Sequence, residues 1–234
     1  MFIYMRSFIF YLVFYTSLIV VSLVVIALYP IINTKTIQKI SSFWILSMMH
    51  VLKMVCGIRW VVEGRENIPD NGCILVSNHQ GIWESLFLQT LKIPSTSIIK
   101  RELLLIPFFG WGLAALRPIT LNRSRKLKSL KRVLKKGAEK LQNNFSVIIF
   151  PEGTRGNPDA GIQKFSSSFS KLSIESGAPV VPICHNSGRF WVNKSFLKLP
   201  GTIKIKIGKQ IKGSTSKDLT YKTYSWFAET YNDM

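Results

Sequence analysis

His79 and Glu84 stand five positions apart in Ser77-Asn78-His79-Gln80-Gly81-Ile82-Trp83-Glu84, directly after the apolar run Cys73 to Val76. If that run is a strand and a helix begins soon after His79, the strand-end imidazole and the carboxylate on the following turn can meet across the bend. A carboxylate bonded to one ring nitrogen fixes the tautomer and raises the basicity of the other, which can then take a proton from a hydroxyl. A hydrogen-bonded structural histidine is the plainer alternative. A second group, Phe150-Pro151-Glu152-Gly153-Thr154-Arg155-Gly156, again follows an apolar strand-like run, Val147 to Ile149. Its glycines permit close backbone approach, and Arg155 offers a fork of donors suited to a phosphate. A glycine-rich turn with a solvated arginine is the alternative there.

Both groups need a sheet to hold them. From Arg59 onward, short β-rich runs alternate with helical ones, the pattern of an α/β fold with a mixed central sheet flanked by helices. Strands are expected at Trp60 to Glu63, Cys73 to Val76, Ser97 to Lys100, Arg117 to Leu121, Val147 to Phe150, Val180 to Cys184 and Thr202 to Ile207. Helices are expected at Ile82 to Leu91, Arg125 to Gln142 and Lys164 to Ser176. In open α/β sheets ligands bind beyond the carboxyl ends of strands, where both groups fall.

The 234 residues suffice for one α/β domain and a short appendage, hence one active site. Ser7 to Thr34 carries no charge, and the first 62 residues contain no acid. The hydrophobic segment 8–29 is long enough to cross a bilayer and reads as a retained anchor. An amphipathic helix over 36–55 follows, so residues 1–57 form an N-terminal membrane helix module and 58–234 the α/β domain. Whether the pair forms a hairpin in one leaflet or a span plus an interfacial helix is open at this level.

The net charge of +19, from 31 Lys and Arg against 12 Asp and Glu, predicts a polyanionic partner. Nine of those cations lie in Arg123 to Lys140, on the outer face of a helix whose apolar stripe is Leu127, Leu130, Leu134, Ala138 and Leu141. Anionic lipid headgroups or an acidic acyl carrier suit that face. The tryptophans do not interleave with the basic run, which disfavours single-stranded nucleic acid. Cys56, Cys73 and Cys184 lack paired spacing and read as reduced thiols of a cytoplasm-facing domain; no spaced ligand cluster suggests a metal, and His185 reads as a hydrogen-bonded loop residue.

N-H-x4-(D/E) followed some seventy residues later by F-P-E-G-T-R resembles the glycerophospholipid acyltransferases. Two further blocks are similar to that family: Lys100-Arg101-Glu102-Leu103-Leu104 through Ile106-Pro107-Phe108-Phe109-Gly110-Trp111-Gly112 to Pro118-Ile119-Thr120-Leu121-Asn122-Arg123, and Ala178-Pro179-Val180-Val181-Pro182-Ile183. The resemblance spans about Gly64 to Gly208 and is strongest to bacterial lysophosphatidic acid acyltransferases. It implies transfer of a fatty acyl group from a thioester, acyl-CoA or acyl carrier protein, to the free hydroxyl of lysophosphatidic acid, giving phosphatidic acid without a cofactor or acyl-enzyme. His79 would be the base and Glu84 its orienting carboxylate. Glu152, Gly153, Thr154 and Arg155, with Arg123 and Lys100, would hold the glycerol phosphate. Its place would be the bacterial inner membrane, with the catalytic domain facing the cytoplasm.

Three departures bear on the acceptor: Glu84 replaces an Asp, Asn122 stands where an Asp usually precedes Arg123, and Ser166-Ser167-Ser168 replaces a segment that usually holds a glycine. Lysophosphatidylglycerol and a lyso-ornithine lipid are the rival acceptors. A noncatalytic protein that binds anionic membranes through anchor and basic helix is the rival of a different class; it would not need His79 or Glu84.

Overall fold

A computed structural model describes residues 1–122 and 126–234, and Arg123 and Arg125 therefore lie outside the described residues. Two long helices, α1 (Phe2–Leu28) and α2 (Thr34–Cys56), precede a sheet whose strands are β1 (Ile58–Glu63), β2 (Ile74–Ser77), β3 (Ser95–Lys100), β4 (Ile119–Leu121), β5 (Ser146–Ile149), β6 (Val180–His185) and β7 (Gly201–Ile207). Interleaved with them are α3 (Trp83–Phe87), α4 (Phe109–Ala115), α5 (Lys126–Gln142), α6 (Ser168–Ser176) and the closing helix α7 (Ser216–Asn232).

The strand order is β1-β7-β6-β2-β5-β3-β4. The run from β6 to β4 is parallel, while β7 pairs antiparallel with β6 and parallel with β1, so the sheet is mixed. Every residue of β2, β5 and β6 is buried, as continuous apolar runs demand when helices cover both faces. One face packs Leu75, Ile148, Val181 and Ile203 against α1, α2 and α3. The other packs Ile74, Val147, Val180 and Ile149 against α5, α6 and α7. Cys56, Cys73 and Cys184 are buried singly, as small apolar groups.

All expected strands are present, with shifted ends. Arg117 adopts φ 52 and Pro118 lacks an N–H, so β4 starts only at Ile119. The α6 helix starts at Ser168 rather than Lys164, because the Ser166 N–H is held by the Pro151 carbonyl at 2.9 Å. The expected helix Ile82 to Leu91 is α3 followed by a separate tight turn, Leu88–Thr90. The α7 helix was not expected, although its buried residues Leu219, Thr223, Phe227 and Tyr231 recur every fourth position.

Both α1 and α2 are long and apolar enough to cross a membrane. Asn33 caps α2 by accepting from the Thr36 N–H at 3.0 Å, and Gly57 at φ 71 ends it. The two ends of α1 touch the same globular body. Near its start, the Lys198 N–H donates to Ser7 Oγ at 2.9 Å, Lys198 Nζ donates to the Tyr11 hydroxyl at 2.7 Å, and Phe10 meets the Trp191 ring edge-on at 5.3 Å. Near its end, Ser22 lies against Gly112 and Val25 packs with Ala115. A helix of roughly 40 Å that touches one domain at both ends lies along it. Its outward residues Phe8, Leu12, Tyr15, Val20 and Leu23 are left exposed.

Candidate active site

The parallel register sets the carboxyl ends of β2, β5, β3 and β4 side by side: Val76 pairs with Ile149, Ser97 with Ile148, and Lys100 with Leu121. His79 leaves β2 along this edge, and Phe150 to Gly156 leaves β5 next to it. The two loops are stitched at the backbone, with the Gly156 N–H donating to the His79 carbonyl at 2.7 Å and the His79 N–H bonding to the Glu152 carboxyl.

His79 Nδ1 lies 2.8 Å from Glu84 Oε1, across the bend into α3. The same oxygen accepts the N–H groups of Gln80 at 2.8 Å and Gly81 at 2.6 Å, while Oε2 accepts the Ser187 hydroxyl at 2.8 Å. Glu84 is fully buried. Burial alone would raise its pKa, but the bond from His79, the charges of His185 and His79 and the Gly81 amide together hold the carboxyl well below its ordinary range. Glu84 is therefore ionised at neutral pH, and Nδ1 donates to it. The proton-free nitrogen is then Nε2, on a ring whose side chain keeps 18% exposure. The ring stacks on Phe150, centroids 4.3 Å apart at 23°, which fixes its plane. An imidazole locked in this tautomer against a buried carboxylate is a proton acceptor for a hydroxyl.

Glu152, in the neighbouring loop, feels both members of this pair. Burial raises its pKa to about 8, against the lowering effect of the His79 amide and with a further rise from the Glu84 charge. Its carboxyl is thus neutral at pH 7 and does not repel an anion bound nearby. Gly153 adopts φ 70, and a Cβ there would meet nothing, so backbone conformation rather than crowding calls for glycine. At Gly156 a Cβ would lie 2.6 Å from Gln163 Nε2, the end of a flexible side chain that would have to swing aside. Thr154 and Arg155 stand exposed at the rim, Arg155 donating to Asn193 Oδ1 at 3.2 Å. Lys100 is exposed at the end of β3. The fold thus joins His79, Glu84 and Glu152 directly and sets Arg155 and Lys100 on neighbouring strand ends; Arg123 belongs to the undescribed stretch that follows β4.

Two supports escaped sequence reasoning. Ser187 reaches Glu84 from the turn after β6, and Phe150 supplies the ring under His79. Each follows a strand in a block already singled out, but only the β2–β5 and β2–β6 pairings bring them to His79. His185 ends β6 instead of lying in a loop: it is buried, its Nε2 bonds to the Asn78 carbonyl at 2.9 Å, and its backbone pairs with the Asn78 side chain.

The sequence profile of the family described as Acyltransferase matches residues 59–186, the stretch that holds His79, Glu84, Lys100 and the Phe150 to Gly156 loop. The chain belongs to that family. The acyltransferase is 40% identical over 192 residues to the 1-acyl-sn-glycerol-3-phosphate acyltransferase of Pseudomonas aeruginosa, a match covering 80% of this chain and 74% of the relative. It is 27% identical over 188 residues to the protein of that name from Saccharomyces cerevisiae, covering 79% of this chain and 61% of the yeast one. The crystal structure of the 1-acyl-sn-glycerophosphate (LPA) acyltransferase PlsC from Thermotoga maritima has the same fold, with a TM-score of 0.82 at 22% identity, covering 98% of this chain and 94% of that one. The acyltransferase carries its helices on both faces of the mixed sheet.

Proposed function

We propose that the enzyme transfers a fatty acyl group from a thioester to the free hydroxyl of lysophosphatidic acid, giving phosphatidic acid for phospholipid synthesis. The observation that carries this reading is the His79–Glu84 pair at 2.8 Å, set on a sheet edge whose adjoining strand ends present Arg155 and Lys100. Nε2 of His79 takes the hydroxyl proton as the oxygen attacks the thioester carbonyl. A C–O bond forms, the C–S bond breaks, and the proton passes from Nε2 to the departing thiolate. Glu84 stabilises the transient imidazolium, so no acyl-enzyme is required. The names of the Pseudomonas and yeast relatives support the acceptor. In this reading Arg155, Lys100 and Arg123 hold the phosphate, with Gly153, Thr154 and neutral Glu152 shaping the loop around it.

The helical hairpin of residues 1–57 supplies membrane association. With α1 pinned along the domain at both ends, we read the hairpin as lying in one leaflet, its exposed Phe8, Leu12 and Val20, with Phe43 of α2, facing acyl chains. The excess of positive charge adds attraction to anionic lipids. The catalytic domain is taken to face the cytoplasm from the inner membrane of a bacterial cell, where acyl thioesters are made.

Arg155→Lys tests the acceptor. A point charge cannot replace a planar fork, and losing a charge-assisted bond of roughly 1.5–3 kcal/mol should lower kcat/KM for lysophosphatidic acid about tenfold or more. The loss should be smaller for lysophosphatidylglycerol, whose phosphate is esterified. Equal losses on both acceptors would remove the phosphate from Arg155.

A further inference from the structure

At the free edge of β4 lies a cavity of about 400 Å³ walled by three arginines: Arg101 just past the end of β3, Arg117 just before β4, and Arg132 on α5. Thr120 adds a hydroxyl, and Leu104 and Ala114 form an apolar wall. Among the described residues the ion pairs are His79 with Glu84 and Lys222 with Asp218, so no carboxylate neutralises these three guanidinium groups. Arg117 is further held at φ 52, a backbone conformation that surrounding structure must impose, with its guanidinium 5.6 Å over the Tyr29 ring. The positive field extends to α5, where Lys140 is held below its usual pKa by burial and then by Arg117 and Lys136. The three arginines are solvent-exposed, and together they give this open hollow a positive field that attracts an anion.

Distance decides which anion. Across the sheet the cavity is three strand spacings from β2, the strand that carries His79, which is roughly 14 Å before the offset along the strands is added. In lysophosphatidic acid the phosphorus is about four bonds from the reacting oxygen, roughly 5 Å, so with its hydroxyl at His79 the acceptor's phosphate stays near that residue, where side chains extend to meet it, and does not enter the cavity. The pantetheine arm of an acyl donor separates sulfur from phosphorus by a little over four residues' worth of extended chain, roughly 15 Å.

We propose that Arg101, Arg117 and Arg132 bind the phosphates of the nucleotide end of a coenzyme A thioester, the arm running back along the strand ends to His79. This rests on the acyl-transfer reading above and assigns its donor. The volume favours a nucleotide over the lone phosphodiester of a carrier-borne arm, and three forks match a pyrophosphate with an additional phosphate.

The test uses the full-length enzyme in detergent micelles, titrated calorimetrically with coenzyme A and with free phosphopantetheine, alongside steady-state transfer. Arg132→Gln and Arg101→Gln should each weaken coenzyme A binding and raise the KM of acyl-CoA about tenfold, leaving the KM of lysophosphatidic acid in place. Wild-type enzyme should bind coenzyme A well above phosphopantetheine. Lys171→Gln, an equal charge loss on α6, should change none of these. The proposal is overturned if both arginine variants bind coenzyme A normally, if phosphopantetheine binds as tightly as coenzyme A, if the acceptor's KM rises instead, or if the only loss is of sedimentation with phosphatidylglycerol vesicles. Coenzyme A binding lost in the variants, with wild type that fails to acylate lysophosphatidic acid, would retain the nucleotide site and discard the acceptor.

Discussion

Replacing His79 by alanine should abolish acyl transfer, lowering kcat by a factor on the order of 10² to 10⁴, while the protein still folds and still associates with membranes. The ring is the only part removed. What holds the local backbone is the Gly156 N–H on the His79 carbonyl and the Glu152 carboxyl on its N–H, and both survive the substitution. The exposed helical faces and the basic excess lie elsewhere, so vesicle binding should be retained. A noncatalytic membrane-binding protein would have no use for His79 beyond structure. Near-normal transfer by the variant, measured with labelled thioester and checked for native thermal unfolding, would remove His79 from the mechanism.

Glu84→Gln separates charge from geometry. The amide carbonyl can still accept from His79, Gln80 and Gly81, with Ser187 turning to accept from the amide nitrogen, so the loop should persist. The charge that stabilises an imidazolium is lost, and kcat should fall by roughly 10² to 10⁴, with KM for the acceptor little changed. The same variant changes the acid limb of stability. The folded pKa of Glu84 lies below its ordinary 4.5, so its stabilisation is fully present above that value and is lost as pH falls toward the folded pKa. Wild type should thus lose thermal stability below about pH 4.5 more steeply than Glu84→Gln. A variant with normal kcat would mean that the carboxylate's charge plays no part in the reaction.

Much of the candidate site was legible because it is written locally. An apolar run followed at once by polar and glycine residues marks a strand end, and two such ends carried the His79 and Glu152 blocks. The separation of His79 from Glu84 fitted a bend between strand and helix, and the bend exists. What stayed hidden depends on pairings between distant segments. Ser187 supports Glu84 from 103 positions away, and Phe150 meets His79 only because β5 pairs with β2. Lys198 reads as one more surface cation in a chain of net charge +19, yet it is 1% exposed, its head bonded to Tyr11 of α1. That contact, with Ser22 against Gly112 at the other end, ties an apparent independent anchor to the domain, which hydropathy alone could not show. The α7 helix was missed for a different reason: its stripe is thinned by Thr223, so periodicity was present but weakly apolar.

The most direct measurement of the central claim is transfer by the purified full-length enzyme in micelles, using a thioester labelled in its acyl chain, with and without lysophosphatidic acid. The account predicts labelled phosphatidic acid that forms only when the acceptor is present, in amounts exceeding the enzyme, with no label left on the protein after denaturation. Label retained on the chain when the acceptor is withheld would contradict direct attack by a hydroxyl activated at His79, and absence of labelled phosphatidic acid with every thioester offered would contradict the assignment itself.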